Sequence, residues 1–76
     1  MFTDIEKWFT YHKPTEEQAQ ALERVREAAK VFAHVLNDNV PPSADRTAAM
    51  RKLRECVMTA NAAIVLDGLF SEGRDF

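Results

Sequence analysis

The residues best equipped for chemistry lie close together between positions 8 and 14: Trp8, Phe9, Tyr11, His12 and Lys13, closed by Pro14. Four of the seven aromatic residues (Phe2, Trp8, Phe9 and Tyr11) fall within the first eleven positions. A flat ring beside cations suits a nucleobase that carries phosphates, because bases stack on aromatic faces and phosphates seek ammonium groups. The same rings also suit a hydrophobic plug. Ile5 and Trp8 or Phe9 share one face of a short helix, so for Trp8 and Phe9 the plug is the simpler reading. Tyr11 lies beyond that helix, beside Pro14, and its role stays open between plug and stacking platform.

The rest of the chain offers no catalytic constellation. His12 and His34 stand alone, with no HExxH spacing and no carboxylate pair set apart from ordinary helix-surface charge. Ser43 and Ser71 lack the glycine frame of a nucleophile elbow, and Gly68 and Gly73 lack the neighbours of a phosphate loop. A single cysteine, Cys56, permits neither an internal disulfide nor a cysteine-rich zinc site. No enzyme activity, metal or cofactor is expected.

Charge narrows the partners further. A formal charge of −2 argues against a protein that coats duplex nucleic acid, where a basic face dominates the balance. Arg51, Lys52 and Arg54 form a basic run. Its plain reading is a solvated face with pairs such as Arg51–Glu55; the other is a phosphate-facing patch across an interface between copies. Arg24, Arg26 and Lys30 stand among Glu23 and Glu27 and look like mixed-charge surface.

These residues need positioning, and the punctuation of the chain predicts an all-α single domain over 1–76. Thr3-Asp4-Ile5-Glu6 and Thr15-Glu16-Glu17-Gln18 both fit a capping box. The first opens a helix over about 4–10, limited by Pro14, and the second a helix over about 16–38. Asn37 to Pro42 reads as stop, turn and restart, after which Ser43 caps a helix over about 44–67, with Gly68 as its left-handed cap. Residues 69–76 read as a frayed tail, in which Leu69 and Phe70 can dock. So short a turn makes the two long helices antiparallel neighbours, a helical hairpin. No signal-peptide pattern opens the chain, and no apolar run approaches the roughly 20 residues that span a bilayer. A cytoplasmic protein without membrane contact is expected.

Spacing predicts the faces. Leu22, Val25, Ala29, Phe32 and Leu36 should meet Met50, Leu53, Val57, Ala60 and Ile64. Further apolar positions remain on each helix, among them Ala21, Ala28, Val31 and Val35 on the first and Ala49, Cys56 and Ala63 on the second. Two helices cannot cover four stripes, so other copies of the chain are expected to cover the surplus in a compact homo-oligomer.

Phe9-Thr10-Tyr11-His12-Lys13-Pro14 resembles the F-x-Y-H-x-P opening of a family of small phage helical-hairpin proteins. The resemblance continues at Val25-Arg26-Glu27-Ala28-Ala29-Lys30, Pro41-Pro42-Ser43 and Ala49-Met50-Arg51-Lys52-Leu53. It ends with Val57-Met58-Thr59-Ala60-Asn61-Ala62-Ala63-Ile64, and so spans about residues 9–66. The family is the hairpin domain shared by phage anti-CBASS and anti-Thoeris sponges.

That resemblance implies a homo-hexamer that binds cyclic dinucleotides, and in some members cyclic trinucleotides, between protomers without cleaving them. It would act in the cytoplasm of the infected bacterium. Tyr11 would stack on a base and Arg26 would donate to a phosphate or base edge. His12 and Lys13 match the motif, Phe9 and Trp8 would border the pocket, and Asn61 would sit at an interface, an interhelical hydrogen bond being its simpler role. Where the family often carries a basic residue after the Asn-Ala-Ala-Ile element, Val65-Leu66-Asp67 stand here, so a trinucleotide pocket there would be absent or differently lined. Eight residues ahead of Phe9 favour the hairpin-only, anti-CBASS type. The alternatives are an anti-Thoeris sponge for a cyclic ADP-ribose-type signal and a ligand-free assembly module.

Overall fold

The computed structural model describes residues 5–11 and 13–67, and among them every element is an α-helix. They are α1 (Ile5–Phe9), α2 (Glu16–Asn39) and α3 (Ala44–Val65). The expected capping at Thr3 and Asp4, the cap at Gly68 and the tail 69–76 lie outside the described residues.

Local chemistry sets each helix end. Thr15 caps α2: its hydroxyl accepts from the Gln18 amide at 3.1 Å, and the Gln18 side chain accepts from the Thr15 amide at 2.9 Å. Two backbone donors that a helix start leaves orphaned are thereby satisfied, and Glu16 and Glu17 add negative charge where the helix dipole favours it. Ser43 does the same for α3, accepting from the Arg46 amide at 3.1 Å. At its far end α3 stops at Val65, and Leu66 closes it with a bond from its amide to the Ala62 carbonyl at 3.0 Å.

Two side chains tie α2 and α3 together at opposite ends. The Gln18 amide nitrogen, beyond its capping role, donates to the Ile64 carbonyl at 3.0 Å. At the turn, Arg46 reaches back from α3 to the carbonyls of Asn37 (3.4 Å) and Val40 (3.3 Å). α2 has no basic residue in its own last turn, so Arg46 supplies positive charge to its carbonyl end from across the turn. Together these bonds define an antiparallel hairpin.

Between those ends Leu22, Val25, Ala29, Ala33 and Leu36 face Met50, Leu53, Val57, Ala60 and Ile64, all half-buried. Phe32 departs from its expected place in this stripe: 51 % of its surface is exposed, and Ala33 takes the position instead. The alanines at 29 and 33 leave room for Met50 and Leu53 from α3, while the larger benzyl ring is left on the shoulder of α2. No described residue is fully buried. The hairpin therefore has a seam rather than a core.

α2 and α3 pack on each other, and the α1 backbone approaches neither. Phe9 is 85 % exposed and Ile5 is exposed as well, so within one chain Phe9 is not the anchor that its position suggests. α1 has barely more than one turn, and Thr10 closes it by donating to the Glu6 carbonyl. Pro14 disfavours helical geometry at the preceding residue, so α1 does not run on into α2.

Candidate functional site

The sequence-derived site residues fall into two groups in space. Tyr11, just after α1, is 82 % exposed, with Phe9 and Lys13 exposed on either side of it. His12 and the side chain of Trp8 lie outside the described residues. Arg26 belongs elsewhere: it lines a groove of about 300 Å³ between α2 and α3, which none of Tyr11, Phe9 and Lys13 lines. Among the described residues the two groups do not line this groove together.

The groove is built by helical spacing. Arg26, Lys30 and Ala33 follow one flank of α2, while Met50, Leu53, Arg54 and Val57 face them from α3. Its walls between the cations are apolar, and no carboxylate lines it. Only family resemblance singles out Arg26 here; by sequence pattern Arg26 and Lys30 both read as mixed-charge surface, and Arg54 as one of a run of three. Spacing alone held the missing signal: Arg26 and Lys30 are four apart, and Arg54 follows Leu53, a residue of the seam.

Charge is sorted along the hairpin. A second groove, of about 470 Å³, opens where α2 begins and α3 ends, and it is lined by Glu17, Asp67, Thr15 and Gln18 with Ala21 and Ile64. Its carboxylates disfavour an anionic ligand, whereas the cations of the first groove favour one. Lys30 pairs with Glu27 at 3.5 Å, whereas the expected Arg51–Glu55 pair is not formed.

Asn61 sits on α3 one turn beyond Val57. Its side-chain oxygen is buried with no hydrogen-bond partner, so the interhelical bond expected of it does not engage that atom. No cluster of histidine, cysteine and carboxylate side chains among the described residues has the arrangement to hold a metal ion.

The family model described as "Acb2/Tad1, hairpin domain" matches residues 1–65, which contain both the aromatic segment and the whole hairpin. The chain belongs to the Acb2/Tad1 hairpin family. Neither the curated proteins nor the solved structures yield a match. The one match covers both Tyr11 and Arg26. The Acb2/Tad1 family is one of phage sponges for cyclic nucleotide signals, proteins that sequester rather than transform their ligand.

Proposed function

We propose that this protein is a phage immune-evasion sponge: a homo-oligomer, hexameric by family resemblance, that binds the cyclic dinucleotide messengers of bacterial CBASS defence without cleaving them. It acts in the cytoplasm of the infected host, and no helix among its described residues is long and apolar enough to cross a membrane. The observation that carries this reading is the family match over residues 1–65.

Physical chemistry supports the shared site. A cyclic dinucleotide has two bases and two phosphodiesters, whereas the groove that contains Arg26 is only about 300 Å³, near the lower end for small-molecule pockets. Its cations and the exposed ring of Tyr11, which does not line it, are complementary parts. A site completed by a second copy would bring Tyr11, with Phe9, Trp8, His12 and Lys13, over a ligand whose phosphate meets Arg26. Enclosure from two sides also expels water, which strengthens the charge-assisted hydrogen bonds that a sequestering protein needs.

Assembly has its own support. Ala28, Val31, Phe32 and Val35 at i, i+3, i+4 and i+7 make an exposed apolar stripe on α2, and the last three are large side chains about half or more exposed. By helical geometry this stripe lies on the flank of α2 opposite Arg26 and Lys30, so a copy that covers it leaves the groove open.

The test is calorimetric titration with a panel of cyclic dinucleotides, a cyclic trinucleotide and a cyclic ADP-ribose isomer, followed by denaturation and recovery of the ligand. Tight binding of a dinucleotide and its recovery intact are expected. Tyr11→Ala should abolish that binding while the assembly keeps its mass. Binding of the ADP-ribose isomer alone would make the protein an anti-Thoeris sponge, and unaltered binding by Tyr11→Ala would remove the stacking role.

A further inference from the structure

We propose that Arg54 and Lys30 join Arg26 in a three-cation rim that receives the phosphates of the sequestered nucleotide, above an apolar floor of Met50, Leu53 and Val57. This rests on the sponge reading above and extends it to two residues that family resemblance does not single out.

The groove takes one cation from the surface run on α3 and two from the run on α2. Of Arg51, Lys52 and Arg54, Arg54 alone lines the groove; of Arg24, Arg26 and Lys30, the last two do. Arg26 and Lys30 are one helical turn apart on α2, and Arg54 faces them from α3. Three side chains that end in positive charge thus border one groove, in a chain whose formal charge is −2. That concentration of one sign, with no carboxylate in the lining, is the charge complement of a ligand with two phosphodiesters. The floor between the cations has the character that a purine face requires, flat apolar contact with polar groups confined to its edges.

The cations are not equivalent. Lys30 is already paired with Glu27 at 3.5 Å, so part of its charge is offset. Arg54 has no ion-pair partner among the described residues. A guanidinium also presents two parallel donors to phosphate oxygens, which an ammonium group cannot. Arg54 is therefore the stronger of the two new contacts, and Lys30 a weaker auxiliary.

The occupant is the nucleotide rather than a second copy. The exposed apolar stripe that a copy would cover lies on the other flank of α2, and a protein surface packed on this rim would have to supply carboxylates to three cations. In a chain carrying 12 acidic residues that alternative is physically real, and the experiment separates it.

Titrate the full chain with 3′,3′-cyclic GMP–AMP at low and high salt, comparing wild type with Arg54→Gln, Lys30→Gln and, as an off-groove control, Arg51→Gln. Measure each assembly mass by light scattering. Arg54→Gln should weaken binding at least about tenfold and flatten its salt dependence, because one screened charge pair is lost. Lys30→Gln should weaken it only a few-fold, Arg51→Gln should match wild type, and all masses should be unchanged. Wild-type affinity and salt dependence in Arg54→Gln would overturn the rim while leaving the sponge reading intact. A changed mass with unchanged affinity per site would make the groove an interface between copies and overturn it too. Absence of binding by wild type would overturn the sponge reading for this ligand and the rim with it.

Discussion

Val31→Glu should break the assembly without harming the hairpin. Val31 lies at the middle of the stripe formed with Ala28, Phe32 and Val35, and 64 % of its surface is exposed in the single chain. Full burial of a valine side chain is worth roughly 1.5–3 kcal/mol, so covering the exposed part contributes about 1–2 kcal/mol per copy. A glutamate there forfeits that and adds the cost of an unpaired buried carboxylate, several kcal/mol even after relaxation. The combined loss of at least about 3 kcal/mol per buried site is more than a hundredfold in association. Within the isolated chain the same change is nearly neutral. Glutamate is a slightly better helix former than valine, and its repulsion from Glu27 one turn away offsets a few tenths of a kcal/mol. Light scattering across a wide concentration series reports the mass, and circular dichroism the helix content. Val31→Glu should be smaller than wild type at every concentration where wild type is assembled, with helicity preserved. Wild-type mass in the variant, or a wild type that stays monomeric at high concentration, would refute the reasoning.

Three further substitutions, at two positions, probe the hairpin itself. Gln18→Ala removes the bond to the Thr15 amide and the bond to the Ile64 carbonyl, about 1–3 kcal/mol together at the usual net value of each bond. Melting at fixed protomer concentration should show a drop of roughly 4–8 °C per kcal/mol. Gln18→Glu keeps the capping acceptor but not the cross-helix donor, and should recover about half of that loss. Asn61→Leu should melt at or above the wild-type temperature, because an unpartnered buried acceptor costs stability and its removal returns it. A loss of more than about 1 kcal/mol would show instead that the Asn61 amide oxygen is paired in solution.

The helix starts were legible in the sequence because capping is local. Thr15 with Gln18, and Ser43 with the amide of Arg46, satisfy donors three residues away, so type and spacing were enough. The hairpin followed from the shortness of the turn. Which apolar residue of α2 enters the seam was not legible, because that depends on how closely α3 approaches. With alanine at both 29 and 33, Met50 and Leu53 fill the seam and Phe32 is turned outward. The plug reading of Phe9 fails for a related reason: a plug must reach the seam, and the α1 backbone approaches neither long helix. Arg26 stood out only through family resemblance, whereas the aromatic segment could be picked out along the chain. The rim could not, since Arg54 joins Arg26 and Lys30 only after the two helices are laid antiparallel.

Native mass spectrometry with a panel of cyclic di- and trinucleotides tests most directly whether the chain is an oligomeric sponge. It reads subunit number and ligand stoichiometry from the same ions. The expected result is a hexamer that retains a fixed number of intact cyclic dinucleotides, with Tyr11→Ala giving the same hexamer empty. A monomeric hairpin, or an assembly that retains no cyclic nucleotide from the panel, would contradict it.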